Sequence, residues 1–398
     1  MSQSIGLRFK MNYLGYISSI GTFLPNAPVA NDEIEAVLGI VAGVPSRTKR
    51  LILRSNGIKS RYYAIDRSTG LPTHTNASMV VEAVKNLAGI VRERVGVLAC
   101  GTSSPSGLVP SHGSHVHGAL GRQLGGFCGT EVMSAAGVCL SGLSSLKYAA
   151  LSVAHGGCAQ AIATGSELVS PIMHASNFDE MVSSRRALAL HEDAAISFED
   201  DFLRWMLSDG AGAALITPKP LFPRAFRVDW IDMRSYADQY PVCMFAGGVR
   251  KDDGEMIGWQ ILSAEERALK GAMNLRQDAR LLNAHIIDAI IRKPLPEIAD
   301  LRQLSAADID WYLPHISSEY FRPLVATGMR DIKMEIPAEK WVTTLTETGN
   351  VGSASMYLML DTLLKNPRLR NGDRILVMVP ESARFSVGYM HLTAVVEG

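Results

Sequence analysis

The chain has 398 residues, 47% of them hydrophobic and 20% charged, which excludes a disordered or low-complexity polymer and suffices for two or three core-bearing units. Thirty-nine Lys and Arg balance 39 Asp and Glu, so the chain carries no global electrostatic footprint for nucleic acid or an anionic membrane. Five cysteines (Cys100, Cys128, Cys139, Cys158 and Cys243) form no CxxC pair, which argues against a disulfide framework or a structural zinc site and points to a reducing cytoplasm.

The opening stretch, MSQSIGLRFKMNYLGYISSIG, carries Arg8 and Lys10, but Gly15 and Gly21 break the apolar run behind them, so no secretory signal is expected. No apolar run reaches about 18 residues, so neither a spanning helix nor a membrane partner is expected.

From residue 95 onward, apolar strand-like runs alternate with helix-like segments. Residues 95–100 read as a strand, 102–110 as a loop rich in Ser and Pro, and 112–120 as a helix. TEVMSAA gives a second strand, followed by a small-residue turn and an amphipathic helix to about Ala154; AQAIATGSE, residues 159–167, gives a third, and GAALITP another. The order then recurs: 309–313 as a strand, 314–318 as a loop and 319–328 as a helix, then KWVTT as a strand, a Gly-rich turn, a long helix, and RILVMVPES as the closing strand.

Two copies of one βαβαβ core are the economical reading, giving an α/β protein with helix-covered sheets. The junction falls at ITPKPLFP, with three prolines in eight residues, and divides the chain into an N-terminal half, 1–218, and a C-terminal half, 219–398. Residues 169–205 and 232–294 are less regular and read as insertions that shape a pocket.

Cys139 lies in SAAGVCLSG, where a strand turns into a helix. Free N–H groups and the positive end of the helix dipole are expected to lower its pKa and supply thiolate, while Ala135, Ala136, Gly137 and Gly142 leave room for a substrate; the alternative is a small buried hydrophobe. His315 follows a strand in WYLPHISSEYF, at the sheet edge where α/β proteins bind ligands, and is either catalytic or a loop cap. Asn350, in ETGNVGSAS, holds in the second half the place of Cys139 in the first.

A Cys with a neutral imidazole and an amide serves acyl transfer, since both can donate to a developing oxyanion. Glu167, at the end of its strand, is either a general base or an anchor for a neighbouring loop. Asp209, before Gly210 and Gly212, reads as fixing a turn. His112, His115 and His117 lack a carboxylate in ligand register and read as helix-surface histidines, so no metal is expected; with neither GxGxxG nor a Walker loop, no nucleotide cofactor is expected.

These residues resemble a family: thiolase-fold condensing enzymes of the ketoacyl-acyl carrier protein synthase III type. FLPNAPVANDEIE, SNGIKSRYYA, GTSSPSGLVPSHGSHVHGALG, LSDGAGAAL and GDRILVMV are similar to its motifs, in its order, along nearly the whole chain. The resemblance implies a five-layered αβαβα arrangement and a cytoplasmic, cofactor-free homodimer that takes acyl groups from coenzyme A or an acyl carrier protein. It places the catalytic set on Cys139, His315 and Asn350, and the oxyanion hole on the backbone N–H groups of Cys139 and Ala383.

Two segments depart from the family. HISS, residues 315–318, lacks the Asn of the usual HQAN, and Glu381, Ser382, Ala383 and Arg384 replace a glycine triplet. The PES-x-RF ending and Glu167 resemble the dialkylresorcinol- and cyclohexanedione-forming ketosynthases of secondary metabolism, in which a base would form a second carbanion for ring closure. The alternatives are acyl transfer to oxygen or nitrogen, a primary fatty-acid ketoacyl synthase III, and a non-catalytic homologue. Arg54, Lys59, Arg61, Arg276 and Arg280 read as solvated charges or contacts for a phosphopantetheine or carrier protein.

Overall fold

A computed structural model describes residues 13–187 and 198–397; the reading of Arg8 and Lys10, and part of the first insertion, lie outside the described residues. Nine strands form the main sheet: β1 (Tyr16–Phe23), β2 (Val95–Thr102), β3 (Glu131–Ala136), β4 (Gln160–Glu167), β5 (Gly210–Thr217), β6 (Arg224–Ser235), β7 (Trp311–Pro314), β8 (Arg374–Glu381) and β9 (Ser386–Val396), in the order β7-β8-β9-β6-β1-β5-β4-β2-β3. The helices that cover it are α1 (Asn76–Lys85), α2 (His112–Leu124), α3 (Leu140–Ala154), α4 (Ala279–Ile287), α5 (Phe321–Asp331) and α6 (Ser355–Leu364).

The repeat read from the sequence appears in the pairing. In the first half β3, β2 and β4 are parallel, and β5 and β1 follow antiparallel. In the second, β7 and β8 are parallel, and β9 and β6 follow antiparallel. The strand expected in KWVTT is reduced to one parallel bridge, Tyr312 to Trp341, because the segment leaves the sheet after that contact and turns into Leu345–Thr348. β6 runs to Ser235, so residues 232–235, read as the start of an insertion, belong to the sheet.

The half-sheets meet through β1 and β6, at Tyr16 to Arg227 and Ile17 to Phe226. They pack on either side of α3 and α6, whose apolar residues share one core with side chains of both halves, among them Val97, Ile216, Leu313, Val377 and Met390. α1 and α2 cover the outer face of the first half, and α4 and α5 that of the second. The layers are therefore helix, sheet, helix, sheet, helix.

α3 is helical because Leu140, Leu143, Leu146, Ala150 and Val153 recur at helical spacing and are all buried. Its small residues serve close approach: a Cβ at Gly142 would stand 2.1 Å from the Ser353 carbonyl oxygen. Tyr357 of α6 donates to the Gly142 carbonyl at 2.9 Å. This crossing brings the starts of the two central helices, and with them Cys139 and Asn350, to one place.

Candidate active site

Cys139 caps the N-terminus of α3 and lines two cavities of about 430 and 440 Å³. The first is apolar, lined by Leu282, Ile286, Ile287, Ile290, Phe321 and Val325, with His315 also in its lining. The second holds Glu167, Asn350, Ser103, Ser208 and Gln277 among Val138, Val169, Leu203 and Met244. Ser317 and Ser382 line both. The structure thus gathers Cys139, His315, Asn350 and Glu167 around one junction.

Each is held by the backbone that carries it. His315 donates its N–H to the Met378 carbonyl at 2.8 Å, extending the β7–β8 register by one residue. Burial lowers its pKa to about 4, so the ring is neutral at pH 7. Asn350 exchanges backbone bonds with Met206 and Ser208, and its Oδ1 accepts from Gly352 N–H at 3.0 Å. Gly352 has φ +49°, and a Cβ there would sit 2.8 Å from Glu167, so glycine is required on both counts.

Glu167 is buried and accepts from the Ser103 hydroxyl at 2.5 Å, the Ser104 hydroxyl at 2.9 Å and Ser353 N–H at 3.0 Å. Burial raises its pKa, and these donors oppose the rise.

The expected lowering of the Cys139 pKa is not found. Burial raises it well above the ordinary thiol value, and the nearby carboxylates of Glu381 and Glu167 raise it further. The N–H groups flanking Cys139, those of Val138 and Leu140, donate to Glu381. Sequence reasoning marks Glu381 as a departure from the family's glycine triplet and misses this contact, because the partners are 243 and 241 residues apart.

Ser382 faces both cavities, whereas the next residue, Ala383, has its carbonyl engaged by Cys243 N–H at 2.8 Å and Met244 N–H at 3.2 Å. These bonds, with Gln277 donating to Ser382 Oγ at 3.1 Å and Arg384 to Glu255 at 2.7 Å, fasten the second insertion over the β8–β9 turn. Phe385 closes that turn at φ +53°, a strained value for a bulky residue, with its ring buried against Tyr240 and His285.

Other expectations change with burial. Asp209 accepts from the N–H groups of Ala64 (2.7 Å), Val169 (2.6 Å) and Ser170 (2.9 Å), tying three segments together rather than one turn. His112, read as a surface residue, is buried against Ser166, and His117 bonds the Phe127 carbonyl at 2.7 Å. Among the described residues no group of three or more His, Cys, Asp or Glu side chains is arranged to hold a metal ion. Arg61 is no solvated charge: it is fully buried, donating to Asn31 and the Trp205 carbonyl, both at 2.6 Å. Arg276 pairs with buried Asp200, while Arg54, Lys59 and Arg280 are exposed. No helix among the described residues is long and apolar enough to cross a membrane.

Residues 300–397 match the family model of the 3-oxoacyl-[acyl-carrier-protein] synthase III C-terminal region. A beta-ketoacyl-[acyl-carrier-protein] synthase III of Rhizorhabdus wittichii is 24% identical over 92% of this chain and 95% of its own. The fold superposes on that of 3-oxoacyl-(acyl carrier protein) synthase III from Xanthomonas oryzae with a TM-score of 0.69, at 21% identity, over 96% of this chain and 99% of the other. The chain shares the fold of these synthases, and its residues 300–397 match their C-terminal family model. Cerulenin-bound OleA of Xanthomonas campestris is similar in fold to this chain, with a TM-score of 0.69, 20% identity and 96% coverage of both chains.

Proposed function

We propose that the chain is a condensing acyltransferase that joins two acyl thioesters through an acyl-Cys139 intermediate. The observation that carries this reading is the position of Cys139 where an apolar cavity meets a polar one. The Cys139 sulfur attacks the carbonyl of the first thioester, delivered by coenzyme A or a carrier protein, and the carrier thiol leaves with the proton. The acyl chain lies in the apolar cavity.

The second thioester enters the polar cavity and gives up its α-carboxylate as CO₂ or, in a β-ketoacyl thioester, its acidic α-proton to the Glu167 carboxylate, leaving an enolate. His315 and Asn350 donate to the resulting enolate oxygen; a neutral imidazole suits this, since it keeps an N–H to give. The carbanion attacks the acyl carbonyl, a carbon–carbon bond forms and Cys139 departs. The tetrahedral oxyanion is held by the Cys139 N–H and by the β8–β9 turn, where Ser382 rather than Ala383 borders both cavities.

The finer reading is a β-ketoacyl thioester as second substrate, with Glu167 as the base for a second carbanion and closure to a cyclohexanedione or dialkylresorcinol precursor in secondary metabolism. Its support is a buried carboxylate in the cavity wall whose pKa burial raises, which makes it a stronger base than an exposed glutamate. A second reading, a primary ketoacyl synthase III, is favoured by the name of the Rhizorhabdus relative. Incubation with an acyl-coenzyme A and either a β-ketoacyl or a malonyl carrier protein, read by product mass, separates them: a ring without CO₂ release supports the first, a linear β-ketoacyl chain with CO₂ the second.

We further propose a cytoplasmic homodimer. β3 pairs only with β2 among the described residues and leaves an exposed sheet edge, which a second copy would cover. Light scattering at micromolar concentration giving the monomer mass would overturn this.

A further inference from the structure

Glu381 ends β8, the third strand of the second half, and reaches across to the first. Its carboxylate accepts from Val138 N–H at 2.9 Å and Leu140 N–H at 3.0 Å, the two amides flanking Cys139. Glu167 ends β4, the matching strand of the first half, and reaches the other way, to Ser353 N–H at the start of the Asn350 helix. The two glutamates are counterparts, each seated on the other half's central helix. Their supply of donors differs. Glu167 also receives two serine hydroxyls, whereas Glu381 accepts from backbone N–H groups alone among the described residues.

We propose that Glu381 is a positioning residue that tunes the ionisation of Cys139: its carboxylate, seated on the Val138 and Leu140 amides, offsets the positive end of α3 and favours the neutral thiol beyond what burial alone does. The groups facing Cys139 are Glu381 from β8, Glu167 from β4, and the neutral His315 and Asn350 that follow β7 and precede α6. Both charges acting on the thiol are negative, so no imidazolium or guanidinium counters them. The helix N-terminus, ordinarily the feature that ionises such a cysteine, has its first donor, the Leu140 N–H, taken by a carboxylate from 241 residues away. Burial raises the Glu381 pKa to about 7, so its charge, and with it its share of the rise in the thiol pKa, changes near neutral pH.

The inference rests on Cys139 as the nucleophile but is tested without any condensation product. The rate of Cys139 alkylation by iodoacetamide is followed from pH 6 to 10 by peptide mass in the full-length wild type, Glu381→Gln and Glu381→Asp. The wild type is expected to have its midpoint above the ordinary thiol value of about 8.5. Glu381→Gln is expected to move it down by at least about one pH unit, raising the rate at pH 7.5 about tenfold, while Glu381→Asp, which keeps the charge, stays near the wild type.

Superimposable wild-type and Glu381→Gln profiles in folded protein overturn the proposal, as does a thiol silent at every pH in both. A wild-type midpoint at or below pH 8 overturns it without any variant, should Glu381→Gln fail to fold. A shifted midpoint in a protein that no thioester acylates would leave the ionisation role standing and remove the proposed function instead.

Discussion

Cys139 and Asn350 stand at equivalent turns of the two halves, each just before a central helix and each beside a glutamate sent from the opposite half. The first turn presents a sulfur at the cap of α3, with the flanking amides consumed by Glu381. The second presents an amide that bonds its own loop at Gly352, beside a glutamate held by serine hydroxyls. A duplicated backbone therefore supplies two similar cradles, and the side chains at the turn and at the strand end divide the work. On this account the first cradle forms the covalent bond and the second steadies the charge that develops afterwards.

Breaking each cradle in turn gives the largest expected contrast. Cys139→Ala abolishes both acylation and condensation, by at least about a thousandfold, whereas Asn350→Ala leaves acylation within a few-fold and lowers condensation about a hundredfold or more. Single-turnover acyl transfer measured apart from product formation separates the two. Equal loss of both steps in Asn350→Ala would contradict the division.

The crossing that joins the cradles is the next most sensitive feature. Gly142→Ala would drive a methyl group against the Ser353 carbonyl, 2.1 Å from the ideal position, so a loss of roughly 1–3 kcal/mol or more is expected in denaturant unfolding. Gly121→Ala in α2, where a Cβ meets nothing within 4 Å, serves as the control and is expected to be neutral or slightly stabilising.

The two glutamates differ in pH dependence. The Glu381 carboxyl is raised from 4.5 to about 7 in the folded state, so the folded chain holds a proton that the unfolded chain has released. Its contribution is therefore full below about pH 4.5 and is lost as pH rises through 7, by roughly 3 kcal/mol. Glu381→Gln is expected to flatten that part of the stability profile in thermal melts from pH 4.5 to 8. His315 gives the opposite slope: its folded pKa lies near 4, so its contribution is present above about 6.5 and is lost as pH falls towards 4. His315→Gln is expected to remove that acid-side loss.

The smallest effect is on selectivity. Val325→Ala enlarges the apolar cavity and is expected to favour a chain one or two carbons longer, by a few-fold in kcat/KM.

Much of this was legible in the sequence because it is local. A strand running into a small-residue turn and then an amphipathic helix announces Cys139, and the same unit announces Asn350, so the repeat and the candidate residues follow from spacing. The matching strand order of the two halves rests on hydrophobic runs that read the same way. KWVTT misleads because a β-prone run does not show that its pairing ends in a single bridge at Trp341.

What the sequence conceals is long-range and buried. Nothing near Glu381 announces that it takes the amides beside Cys139, and nothing near Arg61 announces Asn31 and Trp205 as its partners. His112 reads as a surface residue because its helix is amphipathic, yet the first turn packs against β4 and β3 and buries it. The ionisation of Cys139 escapes the sequence for the same reason: a helix start looks electropositive until the burial of the sulfur and the carboxylate over its amides are seen.

The most direct test of acyl transfer through Cys139 is the intact mass of the wild type and of Cys139→Ala after exposure to a panel of acyl thioesters. The account predicts an adduct of one acyl group on the wild type only, discharged when a β-ketoacyl or malonyl thioester is added. An adduct of equal size on Cys139→Ala, or condensation product from that variant at the wild-type rate, would contradict it.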